Sequence, residues 1–396
     1  MTGIDVPRAR ALTPGCERVL HLNHAGASLL PEPVLDAVIG HLRLEAEVGG
    51  YEAAARQVEA IEHTYDAVAA LLGCERDEVA LSDSATRSWA SVVYSLPLQA
   101  GDRLITSRSE YGSNAIALLQ LQHRTGCEIV LVEDDEHGQI DLDALAVALD
   151  HDRVALVSLT HVPTQSGLVN PAAAVGRLCA DAGALFVLDA CQAAGQLPLD
   201  VADLGCHVLT ATGRKFLRGP RGTGFAYVQR ELCQQLEPVV LDLLSATWVS
   251  PERYEIRADA RRFEMWESDV AGRIGLGVAV DHALEWGLEN IADRTAELAA
   301  GLRERLAEIP GVAVRDRGRQ LCAITTFTVD GVAPDEVAAR LGAQGTNVSV
   351  SAATSAQLDL SHRGLDAVVR ASVHYVTTDE ELDRAVAQVA ALAHSV

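Results

Sequence analysis

The sequence predicts an α/β fold in which a large domain holds a mainly parallel sheet of seven strands and a smaller αβ domain follows it. Three observations support this prediction: seven short apolar runs resemble buried strands, helical patterns separate several of them, and the pattern changes after residue 270. Apolar strands that alternate with helices are typical of parallel sheets covered on both faces. The strand-like runs span residues 78–83, 102–107, 127–134, 154–162, 184–190, 206–212 and 222–228.

The other elements divide the chain into three parts. Residues 1–20 are interpreted as an irregular N-terminal arm, residues 21–270 as the large domain and residues 271–396 as the small C-terminal domain. Apolar residues at spacings of three and four predict the helices. These helices span residues 33–47, 53–72, 85–96, 114–124, 142–149, 172–182, 271–288 and 291–309, and a closing helix begins at residue 379.

Composition narrows the classes of function. The 396 residues are 48% hydrophobic and 22% charged, as in a well-packed globular protein, and the formal net charge is −23. Nucleic acid is therefore not an expected partner, because binding it needs clustered positive charge. We also expect no membrane span and no secretory signal. The eight cysteines are scattered, which indicates reduced thiols in a cytoplasmic enzyme and no metal site.

The chain contains a single lysine, Lys215, although lysine and arginine together number 32. Arginine can replace lysine in most surface roles, but its guanidinium stays protonated and cannot act as a neutral amine. A lone lysine in such a chain is therefore a candidate for amine chemistry. The alternative is that Lys215 is an ordinary surface residue without a chemical role.

Polar side chains cluster at the carboxyl ends of the predicted strands, where open α/β sheets bind their ligands. They are Ser84 and Thr86, which flank Ala85 at a helix start, His161 and Thr164 after one strand, Asp189 at the end of another, and Lys215 after a third. An amine condenses with the aldehyde of pyridoxal 5'-phosphate (PLP), and a carboxylate keeps its pyridine nitrogen protonated. A helix N-terminus suits its phosphate, although Ser84 also fits an ordinary helix cap.

The motifs D-A-C-Q (189–192), T-G-R-K (212–215) and R-G-P-R-G-T-G (218–224) resemble class V aminotransferases of PLP fold type I. The resemblance runs from about His21 to Val396. It implies that Lys215 forms the Schiff base with PLP, that Asp189 contacts the pyridinium, and that both are catalytic. The further cofactor-binding residues that it implies are Ala85, Thr86, Tyr111, Thr164, Gln192 and Thr212. Tyr111 would stack on the cofactor ring, and Thr164 stands where related enzymes often have Asn.

The resemblance also implies a substrate site and an assembly. Arg370 matches the arginine that binds a substrate carboxylate, and a guanidinium can do so through two parallel hydrogen bonds. His24 and His374 are further candidates for substrate binding, although His374 equally fits a structural histidine in a strand. Members of this family complete the site with a neighbouring subunit, so we expect a homodimer with the active site at the interface. The segment 263–272, with Glu267, Ser268 and Asp269, matches the region involved.

Two local features favour one reaction within the family. Cysteine desulfurases carry a sulfur-accepting cysteine in a mobile loop, whereas the corresponding residues 347–356 contain none, and Cys322 fits a core strand. The segment E-A-E-V-G-G-Y (45–51) resembles C–S lyases of ergothioneine synthesis. We therefore expect β-elimination from an S-substituted L-cysteine or an ergothioneine-type conjugate. An epimerase, an aminotransferase, a decarboxylating oxidative deaminase of a secondary-metabolite pathway and a PLP-bound sensor remain alternatives.

Overall fold

A computed structural model describes residues 3–394, and its centre is a sheet of seven strands. The strands, numbered along the chain, are β1 (Leu20–His21), β2 (Val79–Ser82), β3 (Arg103–Ser107), β4 (Glu128–Val132), β5 (Val154–Thr160), β6 (Phe186–Asp189), β7 (Val208–Thr212), β8 (Gly224–Val228), β9 (Ala246–Ser250), β10 (Arg253–Ile256), β11 (Val312–Val314), β12 (Ile324–Val329), β13 (Thr346–Asn347), β14 (Ser349–Ala352) and β15 (Ala367–Ser372). The large sheet has the order β2-β8-β7-β6-β5-β3-β4.

The direction of the strands confirms the predicted fold class. Strands β7, β6, β5, β3 and β4 pair in parallel with one another, and β8 runs antiparallel to its two neighbours, β2 and β7. All seven strands lie within the predicted runs. Every residue of β6, β7 and β8 is buried, as expected for strands in the middle of a sheet that is covered on both faces.

The helices cover both faces of this sheet. They are α1 (Val6–Ala11), α2 (Glu32–Val48), α3 (Gly50–Arg56), α4 (Val58–Leu72), α5 (Ala85–Val93), α6 (Gly112–Thr125), α7 (Leu142–Leu149), α8 (Ala172–Ala182), α9 (Val201–Leu204), α10 (Arg230–Gln235), α11 (Val270–Trp286), α12 (Leu288–Ala307), α13 (Pro334–Ala343) and α14 (Asp379–Ala393). Alternate strand residues enter two separate apolar clusters. Phe186 and Leu188 join helices α4, α7, α8 and α11, whereas Val187 joins α5, α6 and α10.

A four-stranded antiparallel sheet, in the order β11-β12-β15-β14, forms the smaller αβ part of the chain. Elements from the two ends of the sequence also pair: β1 runs parallel to β13, and Asn23 bridges to Ser372. Helix α11 packs on α2 and α4, which precede the large sheet. The exact domain limits at residues 20 and 270 stay predictions.

Two local expectations need correction. The arm over residues 1–20 is not irregular throughout, because it contains α1 and a 3₁₀ turn over Pro14–Glu17. The Asp5 side chain accepts a hydrogen bond from the Arg8 backbone N–H, and Pro7 stands in the first turn, which together start α1. The predicted helix over 53–72 is broken at Gln57 into α3 and α4.

Among the described residues, no helix combines the length and apolar content needed to span a membrane.

Candidate active site

One pocket at the carboxyl ends of the large-sheet strands collects the predicted cofactor-binding side chains. Its lining includes all eight of them: Ala85, Thr86, Tyr111, Thr164, Asp189, Gln192, Thr212 and Lys215. Arg370, His24 and His374 are not among the lining residues. Sequence reasoning therefore found eight of the residues that line this pocket, while the roles assigned to them stay predictions.

Lys215 lies three residues after β7 and is 7% exposed. Burial lowers the pKa of its amine below the ordinary value, and the positive charges of Arg214 and Arg370 act in the same direction against the opposing effect of Cys191 and Asp189. A lowered pKa increases the neutral fraction of the amine, which is the form that attacks an aldehyde or accepts a proton.

Asp189 ends β6, and both of its carboxylate oxygens have hydrogen-bond donors. Oδ1 accepts from the Cys191 backbone N–H at 2.9 Å, and Oδ2 accepts from Asn114 Nδ2 at 2.9 Å. The residue is 4% exposed. Two donors fix the plane of a carboxylate, and its remaining lone pairs can accept a hydrogen bond from a protonated ring nitrogen.

The start of α5 forms a cradle suited to a phosphate. Ser84 caps this helix, and its backbone lies so close to Gly224 that a Cβ on residue 224 would stand 2.5 Å from the Ser84 carbonyl carbon. Glycine is therefore required there, because no side chain fits. Arg214 lines the same pocket and donates to the Gly26 carbonyl oxygen. Free helix N–H groups and a nearby guanidinium suit a phosphate dianion.

Gln192 provides a second test of whether the pocket fits PLP. Its Nε2 donates to the Ala25 carbonyl oxygen at 3.1 Å and to Thr164 Oγ1 at 3.2 Å. Its Oε1 is buried, and no described residue donates to it. A buried acceptor without a donor is costly, so a ligand hydroxyl at this position would remove a penalty. The donor and acceptor set of the pocket therefore fits PLP.

Arg370 lies beside this pocket on β15, where its register partners are Thr326 on β12 and Ser349 on β14. Its guanidinium donates to Thr164 Oγ1, to the Thr164 carbonyl oxygen at 3.2 Å and to Asn23 Oδ1 at 3.4 Å. These acceptors are neutral. Burial, with the charge of Arg214, lowers the pKa of Arg370 to about 10.

Two buried donors around Arg370 have no acceptor within the described chain: its own Nε and the Ser349 hydroxyl. Residues 349 and 370 are direct register partners, and side chains of such pairs share one face of a sheet. A buried cation surrounded by neutral acceptors and unused donors is suited to an anion. The sequence motif around Arg370 did not indicate Ser349, since the pairing depends on β14.

The two histidines proposed as substrate contacts are buried and do not line the pocket. His374 Nε2 donates to the Phe216 carbonyl oxygen at 2.9 Å, and its Nδ1 accepts from the Tyr375 backbone N–H at 2.9 Å. Both ring nitrogens are thus used by the backbone. Burial lowers the pKa of His374 to about 3 and the pKa of His24 well below its ordinary value. The ring centroids of the two histidines are 4.9 Å apart, so they form one neutral aromatic pair.

Sequence reasoning missed further features of the site. Cys191 lines the pocket, although the D-A-C-Q motif had been recognised for its neighbours, and Arg214, which precedes Lys215, lines it as well. The signal for Cys191 was its position two residues after Asp189. Asn114 reaches Asp189 from α6 across 75 positions of sequence, and no local pattern indicates that contact.

The segment expected to meet a second subunit lies next to the pocket. Glu267, Ser268 and Asp269 line a groove that also includes Asp83 and Gly222, which line the cofactor pocket as well. Met265 and Trp266 are 39% and 56% exposed in this segment. The groove therefore connects an apolar surface directly with the pocket.

Known proteins resemble the chain over nearly its whole length. The class V aminotransferase family profile matches residues 20–385. A probable cysteine desulfurase of Methanothermobacter thermautotrophicus is 27% identical over 370 residues, which cover 92% of each chain. A probable hercynylcysteine sulfoxide lyase of Mycobacterium tuberculosis is 33% identical over 366 residues, which cover 92% of this chain and 88% of the relative.

The same relationship holds for a solved structure. The apo cysteine desulfurase of Thermococcus onnurineus superimposes with a TM-score of 0.93 at 25% identity, covering 100% of both chains. The expected PLP fold type I architecture is thereby confirmed. The chain therefore belongs to the class V aminotransferase family, and it is an enzyme whose cofactor is pyridoxal 5'-phosphate.

Proposed function

We propose that this enzyme is a C–S β-lyase that acts on an S-substituted L-cysteine, an ergothioneine-type conjugate included. The single observation that carries the proposal is the composition and fold of residues 347–356, which contain no thiol and include β14 paired with the strand of Arg370. A segment without cysteine offers no sulfur acceptor beside the substrate site. The relationship to a probable hercynylcysteine sulfoxide lyase supports the same choice.

The other candidate thiols do not suit sulfur transfer. Cys191 lines the pocket, but burial, followed by the neighbouring Asp189 charge, raises the pKa of its thiol far above the ordinary value. Cys322 is 2% exposed, and burial raises the pKa of its thiol to about 12. Because the thiolate is the nucleophile, both groups are expected to stay inert near neutral pH.

The pocket residues would hold the cofactor between them. Lys215 would bind its aldehyde carbon, Asp189 its ring nitrogen and Gln192 its ring hydroxyl. Ala85, Thr86, Thr212 and Arg214 would surround the phosphate, and Tyr111 would stack on the ring while Thr164 lies beside it. When bound, PLP supplies an electron sink for negative charge that develops at the substrate Cα.

The chain's own groups would then carry out the elimination. Arg370, assisted by the Ser349 hydroxyl, would bind the substrate carboxylate. The Lys215 amine, once the substrate amine has displaced it, would remove the Cα proton, the Cβ–S bond would break with its electron pair leaving on the sulfur group, and the proton would pass to that leaving group. The products are a thiol from a thioether, or a sulfenic acid from a sulfoxide, and an enamine that water converts to pyruvate and ammonia.

We also propose that the enzyme acts as a homodimer. Three aromatic side chains on one surface support this: Trp248, Tyr254 and Trp266 are 70%, 50% and 56% exposed. Such a surface is unusual for a monomer and typical of an interface. It lies beside the groove of Glu267, Ser268 and Asp269, through which a second subunit would reach the pocket. Light scattering after gel filtration tests this, and a monomer with full activity would contradict it.

The decisive experiment supplies the holoenzyme with S-methyl-L-cysteine, its sulfoxide and a hercynylcysteine-type sulfoxide, each separately. Pyruvate and ammonia released in equal amounts, with the matching sulfur product, support the lyase. The Lys215→Ala variant is the control, because it lacks the amine but keeps the rest of the pocket.

Other products would reject the proposal in identifiable ways. Alanine formed from free L-cysteine, supplied in a parallel reaction, would indicate a desulfurase, and a D-amino acid would indicate an epimerase. A keto acid that retains the sulfur substituent would indicate an aminotransferase, and carbon dioxide a decarboxylating deaminase. Unchanged substrates under all conditions would also overturn the assigned substrate class.

A further inference from the structure

Glu110 is a buried carboxylate, 3% exposed, that accepts hydrogen bonds from five donors. Its Oε2 accepts from Thr106 Oγ1 at 2.9 Å and from Ser158 Oγ at 2.7 Å. Its Oε1 accepts from Thr160 Oγ1 at 2.7 Å, the Tyr111 backbone N–H at 2.8 Å and Asn114 Nδ2 at 3.1 Å. These donors satisfy both oxygens, which removes the main cost of burying a carboxylate.

Asn114 joins this carboxylate to the one in the pocket. Its Nδ2 donates to Glu110 Oε1 at 3.1 Å and to Asp189 Oδ2 at 2.9 Å, so a single amide group bridges two acidic side chains. Asn114 is 2% exposed and lies in the first turn of α6. An amide nitrogen has two hydrogens, and both are used here. The orientation of Asn114 is therefore set by Glu110 on one side and transmitted to Asp189 on the other.

We propose that Glu110 and Asn114 are positioning residues for the reaction: Glu110 fixes the Asn114 amide, and that amide fixes the plane of the Asp189 carboxylate facing the cofactor ring. This inference rests on the proposed role of Asp189. Glu110 also holds the backbone N–H of Tyr111, the residue proposed to stack on the ring. One buried carboxylate thus sets the geometry of two cofactor contacts without touching the cofactor itself.

The first test compares Asn114→Ala with Asn170→Ala in the holoenzyme. Asn170 is a matched control, because it is 1% exposed and its Nδ2 donates to Ser109 Oγ at 2.8 Å and to the Thr160 carbonyl oxygen at 2.7 Å. Asn114→Ala should weaken PLP binding about tenfold, since it removes a hydrogen bond to a charged group. It should also shift the absorbance band of bound PLP and lower kcat more than it raises KM.

Asn170→Ala should lower the Tm by about as much as Asn114→Ala does. The absorbance band of bound PLP, kcat and KM should stay as in the wild type. If both variants shift the band equally, the effect is structural and the positioning role is rejected. Should Asn114→Ala fail to fold, Asn114→Ser serves, because its short hydroxyl cannot bridge both carboxylates. Glu110→Gln should shift the band in the same direction but less, and an unshifted band would remove Glu110 from the proposal.

A double-mutant cycle separates this inference from the proposed function. In an Asp189→Ala background, Asn114→Ala should change neither PLP affinity nor the band any further. Independent and additive effects would overturn the positioning role. If Asp189→Ala alone leaves affinity and band unchanged, the assigned role of Asp189 fails instead. If Asp189→Ala changes both while Asn114→Ala changes neither, only the further inference fails.

Discussion

The two ends of the active site leave opposite groups unused. At the cofactor end, Asp189 has a donor on each oxygen, and among the described residues that line the pocket the buried side-chain atom without a partner is an acceptor, Gln192 Oε1. At the substrate end, the unused buried groups are donors, Arg370 Nε and the Ser349 hydroxyl. The cofactor end is thus prepared for a ligand that donates, such as a ring hydroxyl, and the substrate end for an anion.

This difference follows from how each end is built. The cofactor end combines the segments directly after β6 and β7 with the starts of α5 and α6, which meet because neighbouring strands of one sheet end at the same edge. The substrate end combines β15 and β14 with Thr164 and Asn23, which lie 206 and 347 positions from Arg370. Variants at the first end should therefore change cofactor binding, and variants at the second should change substrate binding alone.

The largest effect is expected at Lys215. Lys215→Arg keeps a cation but removes the neutral amine, so elimination should fall by about a thousandfold or more. Borohydride reduction followed by mass spectrometry checks the cause: the wild type should carry PLP on residue 215 and the variant should carry none. A variant that keeps normal turnover would remove Lys215 from the mechanism.

Gly224→Ala tests the phosphate cradle at the same end. Its Cβ would stand 2.5 Å from the Ser84 carbonyl carbon, so the start of α5 must shift. We expect PLP affinity to fall about a hundredfold, equal to the loss of two charge-assisted hydrogen bonds. Gly342→Ala is the control, because nothing lies within 4 Å of its Cβ. Equal affinity in the two variants, measured by fluorescence titration, would reject the cradle.

Arg370→Leu tests the substrate end. Loss of a bidentate carboxylate contact should raise KM about thirtyfold, whereas PLP affinity and the absorbance band should stay unchanged. Arg363→Leu is the control, since Arg363 lies 3.5 Å from Asp359 in an ion pair and does not line the pocket. If PLP affinity falls while KM rises, the cofactor end and the substrate end do not act independently.

Acid should destabilise the fold through its buried histidines, and His374 is the clearest case. Because the pKa of His374 falls to about 3 in the folded state, the unfolded chain takes up the proton first as pH drops below 6.5. The stability is fully present above pH 6.5 and is lost progressively toward pH 3. At pH 5 this single group should cost about 2 kcal/mol.

The free energy of unfolding of the wild type and of His374→Asn, measured at pH 7.5 and pH 5, checks this. The variant should be less stable than the wild type at both pH values. Between pH 7.5 and pH 5, however, its free energy of unfolding should fall by about 2 kcal/mol less than that of the wild type. An identical pH dependence in both proteins would mean that His374 does not titrate as described.

Much of the fold could be predicted because its signals are local. Seven apolar runs gave seven strands of one sheet, and the helix patterns gave most helices within a few residues. The start of α1 was missed, although Asp5 and Pro7 carry a recognisable signal. The break at Gln57 had no such signal, because the apolar spacing continues through it.

The sequence by itself determined the fold class and predicted the cofactor and eight of the residues that line its pocket, because strand ends bring polar groups to one edge and the neighbouring motifs resemble those of class V aminotransferases. Only the tertiary structure decided which groups surround them, such as Ser349 opposite Arg370 and Asn114 between Glu110 and Asp189. Asn114 and Asp189 lie 75 positions apart, and Ser349 and Arg370 lie on different strands. A buried polar group needs a partner wherever the folded chain brings one, and sequence spacing does not specify which residue that will be.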